Sequence, residues 1–184
     1  MATKGVTQRL FVGVYPPPEV ALALVAALAQ IDLPPHRVTS PEQVHLTLQF
    51  IGDTPASDLE RTIETVRRAT AGVGPFTLTP HQLIALPRRG PSRLLAAETD
   101  APASLLELQR RLSSRLARSP RRRPGDRFLP HLTLCRFRNP ARIEARPSIL
   151  AVEPFSVDRI VLMKSTLRPV GAVHEIVDSV ELVP

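Results

Sequence analysis

The tetrapeptide His45-Leu46-Thr47-Leu48 recurs as His131-Leu132-Thr133-Leu134, and this repetition constrains the fold more than any other feature of the chain. The sequence holds 25 Leu, 13 Thr and 5 His in 184 residues. By composition alone, a given His is followed by Leu-Thr-Leu about once in a thousand times, and two of five would share that ending in roughly a few cases per 100,000. Chance is a poor explanation. In a strand, residues i and i+2 face the same way, about 6.6–6.8 Å apart. Each motif therefore presents one imidazole and one hydroxyl on one face, while Leu46, Leu48, Leu132 and Leu134 anchor the other in the core. One such strand reads as ordinary half-buried sheet; two brought together enclose a small polar volume.

The elements around the motifs fit that arrangement. A buried strand is expected over 9–15, and Pro16-Pro17-Pro18 ends it and opens a helix to about 30. A turn-rich stretch leads to the strand over 44–51. Ser57-Asp58-Leu59-Glu60 and Ser104-Leu105-Leu106-Glu107 are capping-box patterns, predicting helices that run to about 70 and 118. Strands are expected over 76–79, 82–86, 93–98, 128–137, 157–165 and 173–182, with breaks at Pro87-Arg88-Arg89-Gly90-Pro91 and Pro169-Val170-Gly171. Strands neighbour strands too often for a parallel βαβ fold, so the class is α+β. Each half holds a strand, a capped helix and a motif-bearing strand, which predicts one domain over 1–184 built from two duplicated lobes around a central groove.

Two imidazoles and two hydroxyls suit a phosphate. Hydroxyls donate to non-bridging oxygens, and imidazole titrates near neutrality, so one His can act as base on water and the other as acid on the leaving oxygen. No metal or other cofactor is then required. A zinc site is the other reading: strand parity puts Cys135 on the His131 face, where it would join both histidines. The lone Cys cannot form an internal disulfide. The formal charge of +7 and pI near 11.1 favour a polyanionic partner such as RNA. Lys4 and Lys164 are the only lysines, so arginine carries nearly all of this charge, and with 20 prolines it also fits a biased genome composition. Arg121, Arg122 and Arg123, with Arg88 and Arg89, are candidate RNA-backbone contacts. No run approaches the roughly 18 apolar residues of a membrane span. The first residues lack a signal-peptide core, so a cytoplasmic monomer with no membrane association is expected.

The sequence resembles the two-histidine phosphoesterases, and within them the RNA 2′,3′-cyclic phosphodiesterases, also called 2′-5′ RNA ligases. The resemblance runs through Arg9-Leu10-Phe11-Val12, the segment from Pro41 to Gly52, Ser92-Arg93-Leu94-Leu95, Phe128 to Arg136, and Ser165 to Gly171. It implies a bilobal α+β fold, each lobe an antiparallel sheet with outer helices. It also implies hydrolysis of a terminal 2′,3′-cyclic phosphate on RNA to a 2′-phosphomonoester, with ligation as the reverse chemistry. His45 would be the proton donor and His131 the proton acceptor; the residues alone leave that division open, because the motifs are identical. Thr47 and Thr133 would hold the phosphate, joined by Arg136, which parity places on the wrong face unless the strand bulges. Phe11 would contact a base. Related proteins act on 2′-5′ oligonucleotides or cyclic nucleotide-sugar phosphates, and an idle RNA-binding protein would keep the same groove. The chain lacks the Trp many members carry near Ala96 and the Tyr they carry near His174.

Overall fold

The computed structural model describes residues 6–117, 128–143, 150–168 and 171–184. The elements run β1 (Thr7–Val14), α1 (Pro18–Ala26), β2 (His36–Val38), β3 (Leu46–Pro55), α2 (Leu59–Thr70), β4 (Phe76–Leu78), β5 (Pro80–Leu86), β6 (Ser92–Thr99), α3 (Ala103–Leu116), β7 (His131–Ala141), β8 (Phe155–Val157), β9 (Arg159–Arg168) and β10 (Gly171–Glu181). The main sheet has the order β10-β9-β1-β3-β7-β6-β5, with β2 added to β7; β4 and β8 form a separate pair. All these pairings are antiparallel. The fold is α+β, as expected.

One joint in the sheet matters most. Among the described residues, the arm β10-β9-β1-β3 meets the arm containing β2, β7, β6 and β5 through a single register pair, Leu46 opposite Leu132. That narrow join agrees with the two-lobed expectation. Helices cover one side. Val20, Ala21 and Leu24 of α1, Ile63, Val66 and Ala69 of α2, and Leu105, Leu108 and Leu112 of α3 recur at helical spacing and enter one core. Leu46, Leu48, Leu132 and Leu134 enter the same core, each no more than 1% exposed. Burying a leucine contributes about 1.5–3 kcal/mol, so the leucine face of each motif is firmly anchored and its His-Thr face is turned outward.

Neither capping box caps. A 3-10 turn over Ala56–Asp58 precedes α2, and α3 starts at Ala103 behind Pro102; neither N-cap makes a side-chain capping bond. Each Ser already lies in turning backbone, whereas a capping Ser needs an extended conformation ahead of the first turn. Glu107 instead binds Arg110 and Arg111, each at 2.8 Å. Strand β7 begins at His131 rather than three residues earlier. Among the described residues no helix is long and apolar enough to cross a membrane.

Candidate active site

Leu46 and Leu132 are the second residues of identical tetrapeptides, so their antiparallel pairing makes the two motifs locally two-fold related. Continuing that register sets His45 opposite Thr133 and Thr47 opposite His131. All four side chains line one groove of about 460 Å³.

Both strands then bulge at the same place. Along β3, Gly13 pairs with Thr47 but Val12 with Gln49, passing over Leu48; along β7, Ala96 pairs with Thr133 but Leu95 with Cys135, passing over Leu134. An extra residue reverses the alternation of faces beyond it. Phe50 therefore joins the face of Thr47, and Arg136 that of Thr133; both line the groove. The parity objection to Arg136 is thereby removed. The same bulge corrects the zinc reading: Cys135 is fully buried in the core, facing away from His131. Gly13 is required here, because a Cβ on it would lie 2.9 Å from the Leu46 carbonyl oxygen, and this lets β1 run close beside His45.

The main chain sets both imidazoles. His45 Nδ1–H donates to the Gln43 carbonyl at 2.7 Å, and His131 Nδ1–H to the Leu129 carbonyl at 2.8 Å. A carbonyl only accepts, so Nδ1 carries the proton and Nε2 is the nitrogen available to a substrate. His45 is enclosed by rings: Phe11 at 4.9 Å, Tyr15 at 5.4 Å and His174 at 4.8 Å between centroids. The Tyr15 hydroxyl and His174 Nδ1 share a hydrogen bond of 3.3 Å. Burial pushes His45 down to about 4, against the pull of its bond to Gln43, and the positive potential of His174, Arg136 and His131 adds to the fall. Burial lowers His174 as well.

Of the residues singled out from sequence, His45, Thr47, His131, Thr133 and Arg136 converge on the groove. Phe11 reaches it too, but is only 3% exposed and packs on His45, Val161 and Met163, leaving little surface for a base. Arg88 is engaged by Glu98 at 2.6 Å, so it is not the free phosphate contact envisaged. Arg121, Arg122 and Arg123 lie outside the described residues. Sequence reasoning passed over Arg9, Arg37 and Phe50. The ring of Phe50 is 49% exposed, with the Arg9 guanidinium 5.0 Å from its centroid. Its signal was available: Phe50 stands five residues after its His, as Arg136 does. Among the described residues no carboxylate lines the groove, and no group of three or more His, Cys, Asp or Glu is placed to hold a metal ion.

An antiparallel α+β frame that turns two His-x-Thr faces into one cationic groove defines the chain as a two-histidine phosphoesterase. Comparison with known proteins narrows the class. The chain belongs to the 2′-5′ RNA ligase superfamily, whose family model matches residues 16–168. It is 32% identical over 183 residues to an RNA 2′,3′-cyclic phosphodiesterase of Thermus thermophilus, covering 95% of this chain and 90% of that protein. The crystal structure of the Thermus thermophilus protein TT0787 superposes with a TM-score of 0.81 at 29% identity, covering 95% of this chain and 97% of the other. The apo form of E. coli LigT gives a TM-score of 0.81 at 25% identity, covering 97% and 99%.

Proposed function

We propose that this chain is an RNA 2′,3′-cyclic phosphodiesterase, opening a terminal 2′,3′-cyclic phosphate to a 2′-phosphomonoester. The observation that carries the reading is the two-fold meeting of both His-x-Thr faces in one groove at the Leu46–Leu132 pair. Water attacks phosphorus, the bond from phosphorus to O3′ breaks, and the product carries a 2′-phosphate and a 3′-hydroxyl. His131 takes the proton from water, and His45 delivers one to O3′. Thr47 and Thr133 donate to the non-bridging oxygens. Arg136 faces the same volume and offsets the charge that accumulates in the transition state. With Nδ1 of each His committed to a carbonyl, both proton transfers run through Nε2.

One observation favours the reverse division of labour. His45 sits at about 4 in the free groove, so at neutral pH it is unprotonated, as a base should be. For His45 to be the acid, the substrate's negative charge must raise it on binding, since an opposite charge favours the imidazolium. The two divisions are separated by a nucleoside p-nitrophenyl phosphodiester, whose phenolate leaves without a proton. Loss of the acid is tolerated on that substrate; loss of the base is not. His45→Ala retaining activity there, with His131→Ala inactive, supports the division proposed, and the opposite pattern reverses it.

The reaction itself is tested by incubating the protein in EDTA with an RNA ending in 2′,3′-cyclic phosphate and identifying the product. A 2′-phosphate is expected. A 3′-phosphate would refute the leaving group, loss of activity in EDTA would refute metal independence, and binding without turnover would leave an RNA-binding protein. Action as a cytoplasmic monomer, on a single domain formed by duplication, belongs to the same proposal. The duplication is supported by the matching bulges after the two motifs.

A further inference from the structure

We propose that Arg37 and Arg136 hold a second phosphate, the linkage on the 5′ side of the terminal nucleotide, so that the groove selects oligonucleotide ends over cyclic mononucleotides. This subsite rests on the reaction proposed above and adds to it.

Arg37 of β2 and Arg136 of β7 are direct register partners. Backbone bonds fix the pair from both sides, Thr39 N–H to the Leu134 carbonyl at 2.8 Å and Arg138 N–H to the Pro35 carbonyl at 2.9 Å. Both side chains are exposed and line the groove. Like charges directly opposite one another on a sheet repel. Here no carboxylate relieves them: among the described residues neither arginine has an acidic partner. Arg37 is nevertheless held in place. Its guanidinium lies against Gly171 on the other arm, so close that a Cβ there would be 2.6–2.9 Å from Nη1, Cζ and Nη2. Gly171 has φ +127°, a conformation that side chains avoid. The flat guanidinium thus rests on bare backbone, and no hydrogen bond to a described residue engages its donors. Two guanidiniums that line one groove, with no donor taken up by a described residue, suit a phosphate, which can accept from both.

Position identifies which phosphate. Arg136 follows Thr133 along β7, past the reacting centre, and Arg37 stands beside it on β2, which succeeds β3 along the same edge of β7. A phosphate between them is displaced from the reacting one toward β2, as the next linkage of an RNA chain would be. A cyclic mononucleotide with a 5′-hydroxyl has nothing to place there.

The test compares kcat/KM for adenosine 2′,3′-cyclic phosphate and for the dinucleotide ApA ending in 2′,3′-cyclic phosphate, in wild type, Arg37→Gln and Arg37→Lys. Wild type is expected to prefer the dinucleotide by about tenfold or more, the scale of one charged hydrogen-bonded contact. Arg37→Gln should remove most of the preference, Arg136 remaining, and leave the mononucleotide rate unchanged, while Arg37→Lys, keeping charge without the fork, should fall between. The salt dependence of kcat/KM for the dinucleotide should become shallower by about 0.7 in log–log slope in Arg37→Gln. Equal losses on both substrates, or an unchanged preference, would overturn the subsite. A wild type that cleaves neither substrate refutes the reaction instead, and the subsite with it.

Discussion

Acidification should destabilise this protein through His45, and the effect can be sized. The side chain is half-buried among Phe11, Tyr15 and His174, and its pKa falls from 6.5 to about 4 on folding, a difference of about 2.5 units. The folded value lies below the unfolded one, so between the two the unfolded chain binds more protons and stability rises with pH. The contribution is intact above pH 6.5 and is lost as pH falls toward 4. At about 1.36 kcal/mol per pH unit the full loss is at most about 3.4 kcal/mol, of which about 2 kcal/mol has gone by pH 5. Urea unfolding of wild type and His45→Gln at pH 7.5, 6 and 5 isolates this one group from all others that titrate. Wild type should lose about 2 kcal/mol more than the variant between pH 7.5 and 5, a relative shift in midpoint on the order of 1 M urea. Inorganic phosphate should reduce the loss, because an anion in the groove favours the imidazolium. Parallel pH dependences in the two proteins, or a His45 ring proton titrating near pH 6.5 by NMR, would refute the reasoning.

Replacing either histidine with alanine should cut turnover on the cyclic phosphate by about 10²–10⁴-fold, with little change in the unfolding midpoint, since acid–base groups contribute on that scale. Thr133→Val keeps shape but removes a donor; it should weaken competitive inhibition by inorganic phosphate about fivefold or more, the worth of one hydrogen bond. Leu46→Ala, at the register pair joining the two arms, should cost about 2–5 kcal/mol in urea unfolding and lower activity as well, where an equally buried residue far from the groove, such as Leu112, should affect stability alone.

How much of this was written in the residues varies with the range of the interaction. Leucines at i+1 and i+3 of each motif announced which face goes inward, and burial in the core follows that pattern through Leu134. The α+β class and most strands were legible because alternation and helical spacing are local. Beyond Leu48 and Leu134 local parity fails, because a bulge is set by how β1 and β6 pair alongside, and nothing within the strand encodes that. Cys135 and Arg136 were thus placed on each other's faces by simple alternation. His174 and Tyr15 are 159 positions apart, and only the folded sheet shows that they wall in His45. The capping boxes misled for the opposite reason: a four-residue pattern was outweighed by the turning chain just ahead of it.

The two-fold meeting of the motifs also raises the question of direction. Two identical motifs alone would give a phosphodiester no reason to lie one way rather than the other, and a cyclic phosphate could open at either ring oxygen. The residues just past the bulges add to the difference between the sides: an aromatic ring, Phe50, beneath Arg9 on one, and a cation, Arg136, opposite Arg37 and without an acidic partner among the described residues on the other. The ring offers the surface a nucleobase would cover, and the paired cations the place where the chain would continue. On the reaction proposed, which oxygen leaves follows from which way round the RNA is seated, and these walls, with the ring cluster about His45, would set that direction.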